Sequence, residues 1–232
     1  MASTKNTLQI LFEDNHFIIV NKRSGDIVQG DKTGDEPLSD VVKSYIKEKY
    51  DKPGAVFLGT VHRLDRPTTG IVVFAKTSKA LERFNKMLRD KKVNKTYWAV
   101  VKNKPAKDAD TITSYLIKNP KNNKSTSHNT EIEGSKKAVL HYKILKSLDN
   151  YHLLEIDLET GRHHQIRCQL SAIGSPIKGD LKYGFDRSNK DASIHLHAHK
   201  IEFVHPVTNE LISIIAHPPK DPIWDACFSI DN

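Results

Sequence analysis

The sequence predicts an α+β fold, in which a mixed and largely antiparallel β-sheet is flanked by helices and loops. Strand-like segments outnumber amphipathic helical ones, and most of them follow one another from residue 95 onwards. The 232 residues also contain no linker, repeat or break in composition. We therefore expect residues 1–232 to form one domain with a substantial hydrophobic core.

The first hundred residues alternate between strand-like and helix-like segments. Residues 8–22 predict two strands around a turn at Glu13-Asp14-Asn15. A helix is expected over 37–49, where apolar residues recur at helical spacing. Ser78 is expected to cap a second helix that runs to about Lys91. Strands are predicted at 71–76 and 95–102.

The rest of the chain is dominated by strands. They are predicted at 112–117, 138–145, 151–159, near 194–204 and at 211–216. Between the first two, residues 118–137 form a polar segment rich in Lys and Asn, for which a solvated, mobile hairpin is expected. Residues 164–174 predict a short helix with Ile166, Leu170 and Ile173 on one side and Gly174 ending it.

Charge and cysteine content narrow the classes of function. Lys and Arg total 36 against 28 acidic residues, a formal net charge of +8 that favours a polyanionic partner such as nucleic acid. The two cysteines, Cys168 and Cys227, form no CxxC pair, which argues against a structural zinc site and a disulfide framework. The N-terminus lacks the apolar core of a signal peptide, and no run reaches the length of a membrane span. We expect a cytoplasmic protein.

One short segment stands out chemically. In VHRLDRPTTG, residues 61–70, Asp65 lies between Arg63 and Arg66 and is followed by a Pro-Thr-Thr-Gly turn. An isolated surface salt bridge would contribute little stability and would need no such arrangement. Taken alone, the segment is compatible with a structural turn, a pairing charge, a metal ligand or a reactive carboxylate.

Further segments resemble a known family. The motif HRLDRPTTG (62–70) is close to the HRLDxxTSG signature of RluA-type RNA pseudouridine synthases. The family blocks TGRxHQIR and GxPIxGDxxYG appear as TGRHHQIR (160–167) and GSPIKGDLKYG (174–184), and its LHA appears at Leu196-His197-Ala198. These matches keep their order and extend from about residue 8 to 219, which is taken as the extent of the catalytic core.

The resemblance implies an isomerase that needs no cofactor. It implies that Asp65 attacks the target nucleoside, by reaction at the sugar or by removal of a sugar proton, while the uracil detaches, turns and rejoins through carbon. Both routes require an ionised carboxylate, which a nearby cation favours. By resemblance that cation is Arg167. Tyr97, in the family's KxY pattern, is expected to pack against the flipped uracil.

The resemblance also implies a set of RNA contacts. Arg63 matches an arginine that inserts into the RNA stack where the uridine leaves, a gap that a planar guanidinium can fill. Arg66 is either a phosphate contact or a plain loop charge. Arg162 precedes the 164–174 helix, where backbone donors also favour anions. Lys178 and His62 complete the set, and His62 is interpreted as a hydrogen bond donor or acceptor that braces the loop.

Two departures and one absence accompany the resemblance. Thr69 stands where the family has Ser, and Lys22-Arg23-Ser24-Gly25 stands where it has Lys-Pro-x-Gly. The family pattern begins almost at Met1, so we expect a compact member without the N-terminal S4 domain. Such a protein would select ribosomal or transfer RNA with the catalytic domain alone, through a central basic cleft, and a monomer is the default expectation.

Two other functions compete with the isomerase. His195, His197 and His199 alternate along a predicted strand, a spacing suited to metal binding, and would support a metal-dependent hydrolase. No HExxH motif accompanies them, so no metal is expected, and His195 and His199 are predicted to be partly exposed. The second competitor is a catalytically silent RNA-binding protein. The sequence does not identify the modified uridine, nor does it decide whether residues 118–137 contact RNA.

Overall fold

The computed structural model describes residues 2–31 and 33–229. The chain forms two compact units. The first comprises the chain up to Asn94 together with Ala198–Pro218, and the second comprises Lys95–His197 and the residues from Pro219 on. Two strands, β5 (Val93–Val101) and β10 (Leu196–Val204), begin in one unit and continue in the other.

The sheet of the first unit has the strand order β1-β2-β4-β10, with β3 beside β4 and β11 beside β10. Its antiparallel pairs include β1 with β2, β2 with β4, and β10 with β11. Besides β10, the strands are β1 (Ile10–Glu13), β2 (Phe17–Lys22), β3 (Gly59–Thr60), β4 (Thr69–Ala75) and β11 (Leu211–Ile215).

Two amphipathic helices complete the first unit, α1 (Leu38–Lys49) and α2 (Ser78–Arg89). The apolar face of α1 joins residues of β2 and β4 in one buried cluster: Ile18, Val20, Val28, Leu38, Val42, Ile46, Val72 and Phe74. A second packing group includes Phe17, Phe84 and Phe203, whose rings meet edge to face. Burial of each of these aliphatic and aromatic side chains contributes roughly 1.5–3 kcal/mol to the stability of the folded protein.

The sheet of the second unit has the strand order β5-β9-β8-β6-β7, and all of these neighbouring pairs are antiparallel. Besides β5, the strands are β6 (Ala109–Asn119), β7 (Lys124–His128), β8 (Lys136–Ser147) and β9 (His152–Leu158). Helix α3 (Gln165–Ala172) and helix α4 (Pro222–Phe228) accompany them, together with a 3-10 helix at Leu181–Tyr183.

The α+β class and the mixed sheet are confirmed, and the boundaries of most predicted elements lie within a few residues of those observed. The α2 cap is Thr77 rather than Ser78, since the Thr77 side chain accepts a hydrogen bond from the Ala80 amide at 3.1 Å. Ile173 was expected on the same side of the helix as Ile166 and Leu170, but it follows the end of α3 and is 40% exposed, whereas those two residues are buried. The sequence interpretation missed β3, β7, the 3-10 helix and α4.

The helices of the described residues are all too short or too polar to cross a lipid bilayer.

Candidate active site

The loop that carries Asp65 lies between β3 and β4 and is built around a buried lysine. Lys22, at the end of β2, is 1% exposed. Its Nζ donates to the backbone carbonyls of Arg23 at 2.9 Å, Arg66 at 3.1 Å and Thr68 at 2.7 Å. The Arg66 and Thr68 carbonyls belong to the turn in which the Thr68 amide donates to the Asp65 carbonyl. The ammonium therefore fixes the backbone on the C-terminal side of Asp65.

Burial also sets the charge state of this lysine. Desolvation lowers the pKa of Lys22 to about 8, although the nearby carboxylates of Asp26 and Asp65 act in the opposite direction. Asp26 is itself buried and accepts hydrogen bonds from the Ser3 amide at 2.8 Å and the Ser3 hydroxyl at 2.6 Å. At neutral pH the half-buried Asp65 thus has a buried cation in its electrostatic environment.

Glycines shape both sides of this loop. Gly25 has a φ of +91°, and its amide donates to the Arg66 carbonyl at 3.0 Å. Gly70, the last residue of the motif, has a φ of +111°, and a Cβ there would lie 2.3 Å from the Ala198 carbonyl oxygen. Since that contact is with backbone, no side chain fits. The Gly25 that follows the missing family proline therefore braces the motif loop through its own hydrogen bond.

The three predicted RNA contacts in this loop have different surroundings. Arg63 is exposed. Arg66 is also exposed, and its guanidinium pairs with Asp35 at 2.5 Å. His62 is half-buried, and its Nε2 accepts a hydrogen bond from the Val73 amide at 3.2 Å. This bond joins the loop to β4 through the His62 ring.

In the second unit, Arg167 projects from α3 into a buried ion pair. Its Nε and one terminal nitrogen donate to the two carboxylate oxygens of Asp180 at 2.7 and 2.8 Å. Arg167 and Asp180 are 5% and 1% exposed. A bidentate pair fixes the plane of the guanidinium as well as its charge. The sequence predicted that Arg167 serves as a cation for Asp65 but did not predict its pairing with Asp180.

The Tyr183 ring packs against the Arg167 guanidinium. The Arg167 guanidinium carbon lies 5.1 Å from the centre of the Tyr183 ring. The Tyr183 hydroxyl accepts a hydrogen bond from the Ser125 amide at 2.8 Å and lies 2.9 Å from Nδ1 of His164. Burial raises the pKa of Tyr183 to about 12, so the hydroxyl stays protonated at neutral pH. The motif YG thus places a neutral ring against Arg167.

Tyr97 lies in the middle of β5, opposite Ile156 of β9. It is 7% exposed, so most of its ring is buried within the protein. Two residues earlier, burial lowers the pKa of Lys95, the first residue of the KxY pattern. The pattern thus places a buried aromatic ring and a desolvated lysine two residues apart on one strand.

The last two predicted RNA contacts are Arg162 and Lys178, and both donate hydrogen bonds within the protein. Arg162 is exposed, and its Nε donates to the Lys137 carbonyl at 3.0 Å. It precedes α3 by three residues and does not belong to the helix. Lys178 is half-buried, and its Nζ donates to Asn189 at 2.7 Å.

The histidines that suggested a metal site lie in the interior. The prediction that His195 and His199 are partly exposed is wrong, since they are 2% and 8% exposed. His195 contacts Asp221 and Asn189 through its two ring nitrogens, at 2.9 and 3.0 Å, and stacks on Trp224. His199 donates to the Ala216 carbonyl at 2.9 Å. Hydrogen bonding and ring stacking make their burial possible.

Within residues 2–31 and 33–229, no group of three or more His, Cys, Asp or Glu side chains is arranged to hold a metal ion. The two thiols are buried, and burial raises the pKa of Cys168 and of Cys227 to about 11. A thiol at that pKa is a poor nucleophile at neutral pH.

Comparisons with known proteins identify the family to which this chain belongs. The family model described as RNA pseudouridylate synthase matches residues 16–172. An uncharacterized RNA pseudouridine synthase from Synechocystis is 34% identical over 216 residues, which cover 91% of this chain and 66% of that protein. Ribosomal large subunit pseudouridine synthase D from Zymomonas mobilis is 32% identical over 224 residues, covering 92% and 70%.

The chain belongs to the RNA pseudouridylate synthase family and resembles its RluA-type members, which are isomerases. It spans about two thirds of the length of these curated relatives. The solved structure of human RNA pseudouridylate synthase domain containing 4 has the same fold, with a TM-score of 0.77 and 24% identity over 94% of this chain and 91% of that one. The human domain containing 1 gives a TM-score of 0.74, with 22% identity over 98% and 90%.

Proposed function

We propose that this protein isomerises uridine to pseudouridine in ribosomal RNA, transfer RNA or both, with residues 1–232 acting as one catalytic domain and Asp65 as the reacting carboxylate. Family membership supports the type of reaction. The relatives named ribosomal large subunit pseudouridine synthase C and D support ribosomal RNA as a substrate. The observation that carries the proposal is the HRLD loop, whose backbone is fixed beside Asp65 by the buried Lys22.

The proposed reaction rearranges one bond of the nucleoside. The N1–C1′ glycosidic bond breaks, the uracil turns, and C5 bonds to C1′. C5 then loses its hydrogen as a proton and N1 takes up a proton, so the composition of the nucleoside does not change. Asp65 must be ionised whether it attacks C1′ or removes a ribose proton. Lys22 lies in the same unit, and its positive charge interacts electrostatically with Asp65.

Three further residues have proposed roles. Arg167 supplies the cation that the family resemblance assigns to Asp65, and its bidentate bond to Asp180 supports a fixed orientation. Tyr97 packs against the flipped uracil. Arg63, which is exposed, fills the gap that the flipped nucleotide leaves, a gap that costs a few kcal/mol of stacking.

Release of tritium from RNA labelled at uridine C5 tests the reaction directly, because the new carbon bond expels that hydrogen. Unmodified transcripts of ribosomal and transfer RNA are incubated with the protein and with Asp65→Asn. Asp40→Asn is the matched control, since Asp40 is a half-exposed aspartate on α1 that pairs with Lys43. We expect release with the parent and the control and none with Asp65→Asn.

Binding measurements separate the isomerase from its competitors. Asp65→Asn should bind RNA as tightly as the parent or more tightly, because the aspartate repels phosphate. A parent that binds RNA tightly but releases no tritium from either transcript would support the silent RNA-binding protein. Loss of activity on addition of a chelator would support the metal-dependent hydrolase, whereas the proposed cytoplasmic, monomeric isomerase needs no metal.

A further inference from the structure

The β6–β7 hairpin carries positive charge that no neighbouring acid offsets. Residues 111–130 include Lys118, Lys121 and Lys124 and contain no Asp or Glu. Lys118 and Lys121 are exposed, and across the described part of the chain neither of them belongs to an ion pair. At the far end of β6 the situation is the opposite, because Lys107 pairs with Asp110 at 3.0 Å. The uncompensated charge is therefore confined to the hairpin turn.

Hydrogen bonds give this turn a definite shape. The Asn119 side chain accepts from the Lys121 amide at 2.9 Å, and the Asn122 side chain accepts from the Lys124 amide at 3.1 Å. Lys182, in the 3-10 helix, donates to the backbone carbonyls of Asn122 and Asn123 at 3.4 and 3.2 Å. These hydrogen bonds fix the backbone of the turn that carries Lys121 and that follows Lys118 at the end of β6.

The same hairpin contacts the residue that stacks on Arg167. The Lys124 ammonium lies 5.2 Å from the centre of the Tyr183 ring, and the Arg167 guanidinium carbon lies 5.1 Å from it. The Ser125 amide donates to the Tyr183 hydroxyl at 2.8 Å. The hairpin is thus attached beside one of the residues that the proposed reaction requires.

We propose that the β6–β7 hairpin binds the phosphate backbone of the substrate RNA through Lys118 and Lys121. This proposal rests on the proposed function, because it assigns an RNA-binding surface to the same enzyme. Contacts to phosphates carry no sequence information, so in this proposal the hairpin contributes affinity and not sequence preference. Lys124 packs against Tyr183 and anchors the hairpin.

The salt dependence of binding tests the hairpin independently of turnover. The double variant Lys118→Gln/Lys121→Gln removes two positive charges and leaves Lys124 in place. Its matched control, Lys104→Gln/Lys107→Gln, removes two charges that already pair with Asp108 and Asp110 at 2.8 and 3.0 Å. Dissociation constants are measured for an unmodified stem-loop transcript of ribosomal RNA over about 50–200 mM KCl.

Two lost phosphate contacts should lower the magnitude of the log–log salt slope by about 1.4 to 1.8, which corresponds to roughly 25- to 60-fold weaker binding at ~0.1 M salt. The control should keep the parent's slope and affinity. A hairpin variant that binds like the control would overturn the proposal, and so would an equal loss in both variants, since net charge alone would then explain it. Circular dichroism spectra that match the parent show that the exposed substitutions leave the fold intact.

Tritium release by the same preparations separates the two proposals. If the parent releases no tritium but the hairpin variant loses affinity and salt slope, the hairpin binds RNA and the proposed catalytic function fails. If the parent turns over and the hairpin variant binds as the control does, the catalytic function stands and the hairpin assignment fails.

Discussion

Replacement of the buried lysine Lys22 by methionine gives the sharpest test of how the HRLD loop is built. Methionine fills a similar volume and removes the ammonium that donates to three carbonyls. At any single pH the effect on stability combines the lost hydrogen bonds with relief from burying a charge, and these two contributions oppose each other. The pH dependence of the difference between parent and variant isolates the charge.

The magnitude follows from the lysine pKa. Burial lowers it from 10.5 to about 8, which corresponds to about 3.4 kcal/mol of cost for the charged form in the folded protein. Between these two pKa values the unfolded chain binds the proton and the folded chain does not, so the stability of the parent rises with pH. Below pH ~8 the cost is fully present, and by pH ~9.5 about 2 kcal/mol of it is relieved.

Urea unfolding of the parent and Lys22→Met at several pH values between neutral and pH ~9.5 measures this difference. Other titrating groups act alike in both proteins and cancel in the subtraction. Lys47→Met, which removes an exposed lysine of α1, controls for the loss of one cation. We expect the stability of the parent to rise relative to Lys22→Met by about 2 kcal/mol, with no such rise relative to the control.

A difference between parent and Lys22→Met that stays constant over this pH range would refute the expected fall in the pKa of Lys22. It would mean that the hydrogen bonds to the three carbonyls and the nearby carboxylates offset the cost of burying the ammonium.

Three other predictions concern Gly70, the Arg167–Asp180 pair and the two buried cysteines. Gly70→Ala should destabilise the protein by about 3 kcal/mol or more in urea unfolding, because its Cβ would meet the Ala198 backbone. Asp180→Asn should cost about 3–5 kcal/mol by leaving the buried Arg167 without its carboxylate, whereas Asp186→Asn, which removes an exposed partner of Lys102, should change stability by less than about 1 kcal/mol. Both cysteines should resist a thiol reagent at pH ~8 until urea unfolds the protein, since burial raises their pKa values to about 11; rapid labelling of the native protein would contradict this.

The elements with regular patterns were predictable from the sequence, and the irregular ones were not. Helix α1 and strand β9 repeat their apolar residues with helical and strand periods, so local sequence alone indicates them. Strand β7, with the sequence KSTSH, has no apolar alternation and exists because its backbone pairs with β6. Helix α4 did carry a local signal, since Asp221 caps it and Pro222 opens it, but its seven residues are short for a periodic pattern.

The candidate site divides in the same way. The motif residues Asp65, Tyr97 and Arg167 were found through family resemblance, which transfers positions without their surroundings. The groups that hold two of them, Lys22 and Asp180, are buried charges whose partners come from other segments of the chain. Burial of a charge leaves no local periodicity, and a sequence composition rich in lysine favours an exposed interpretation of each one. Sequence patterns therefore pointed to the residues proposed to react but not to the buried charges that hold them.

The two supports solve different physical problems, and this explains why one is a lysine and the other an aspartate. The HRLD loop needs its backbone fixed, and an ammonium with three donors can satisfy carbonyls that approach from several directions. Arg167 needs its plane fixed, and a carboxylate matches the guanidinium in a bidentate pair while Tyr183 stacks against the face. Each arrangement buries an ion whose desolvation is costly unless all its contacts form. Lys22, Asp180 and Tyr183 therefore order the residues proposed to react without any need to contact the RNA themselves.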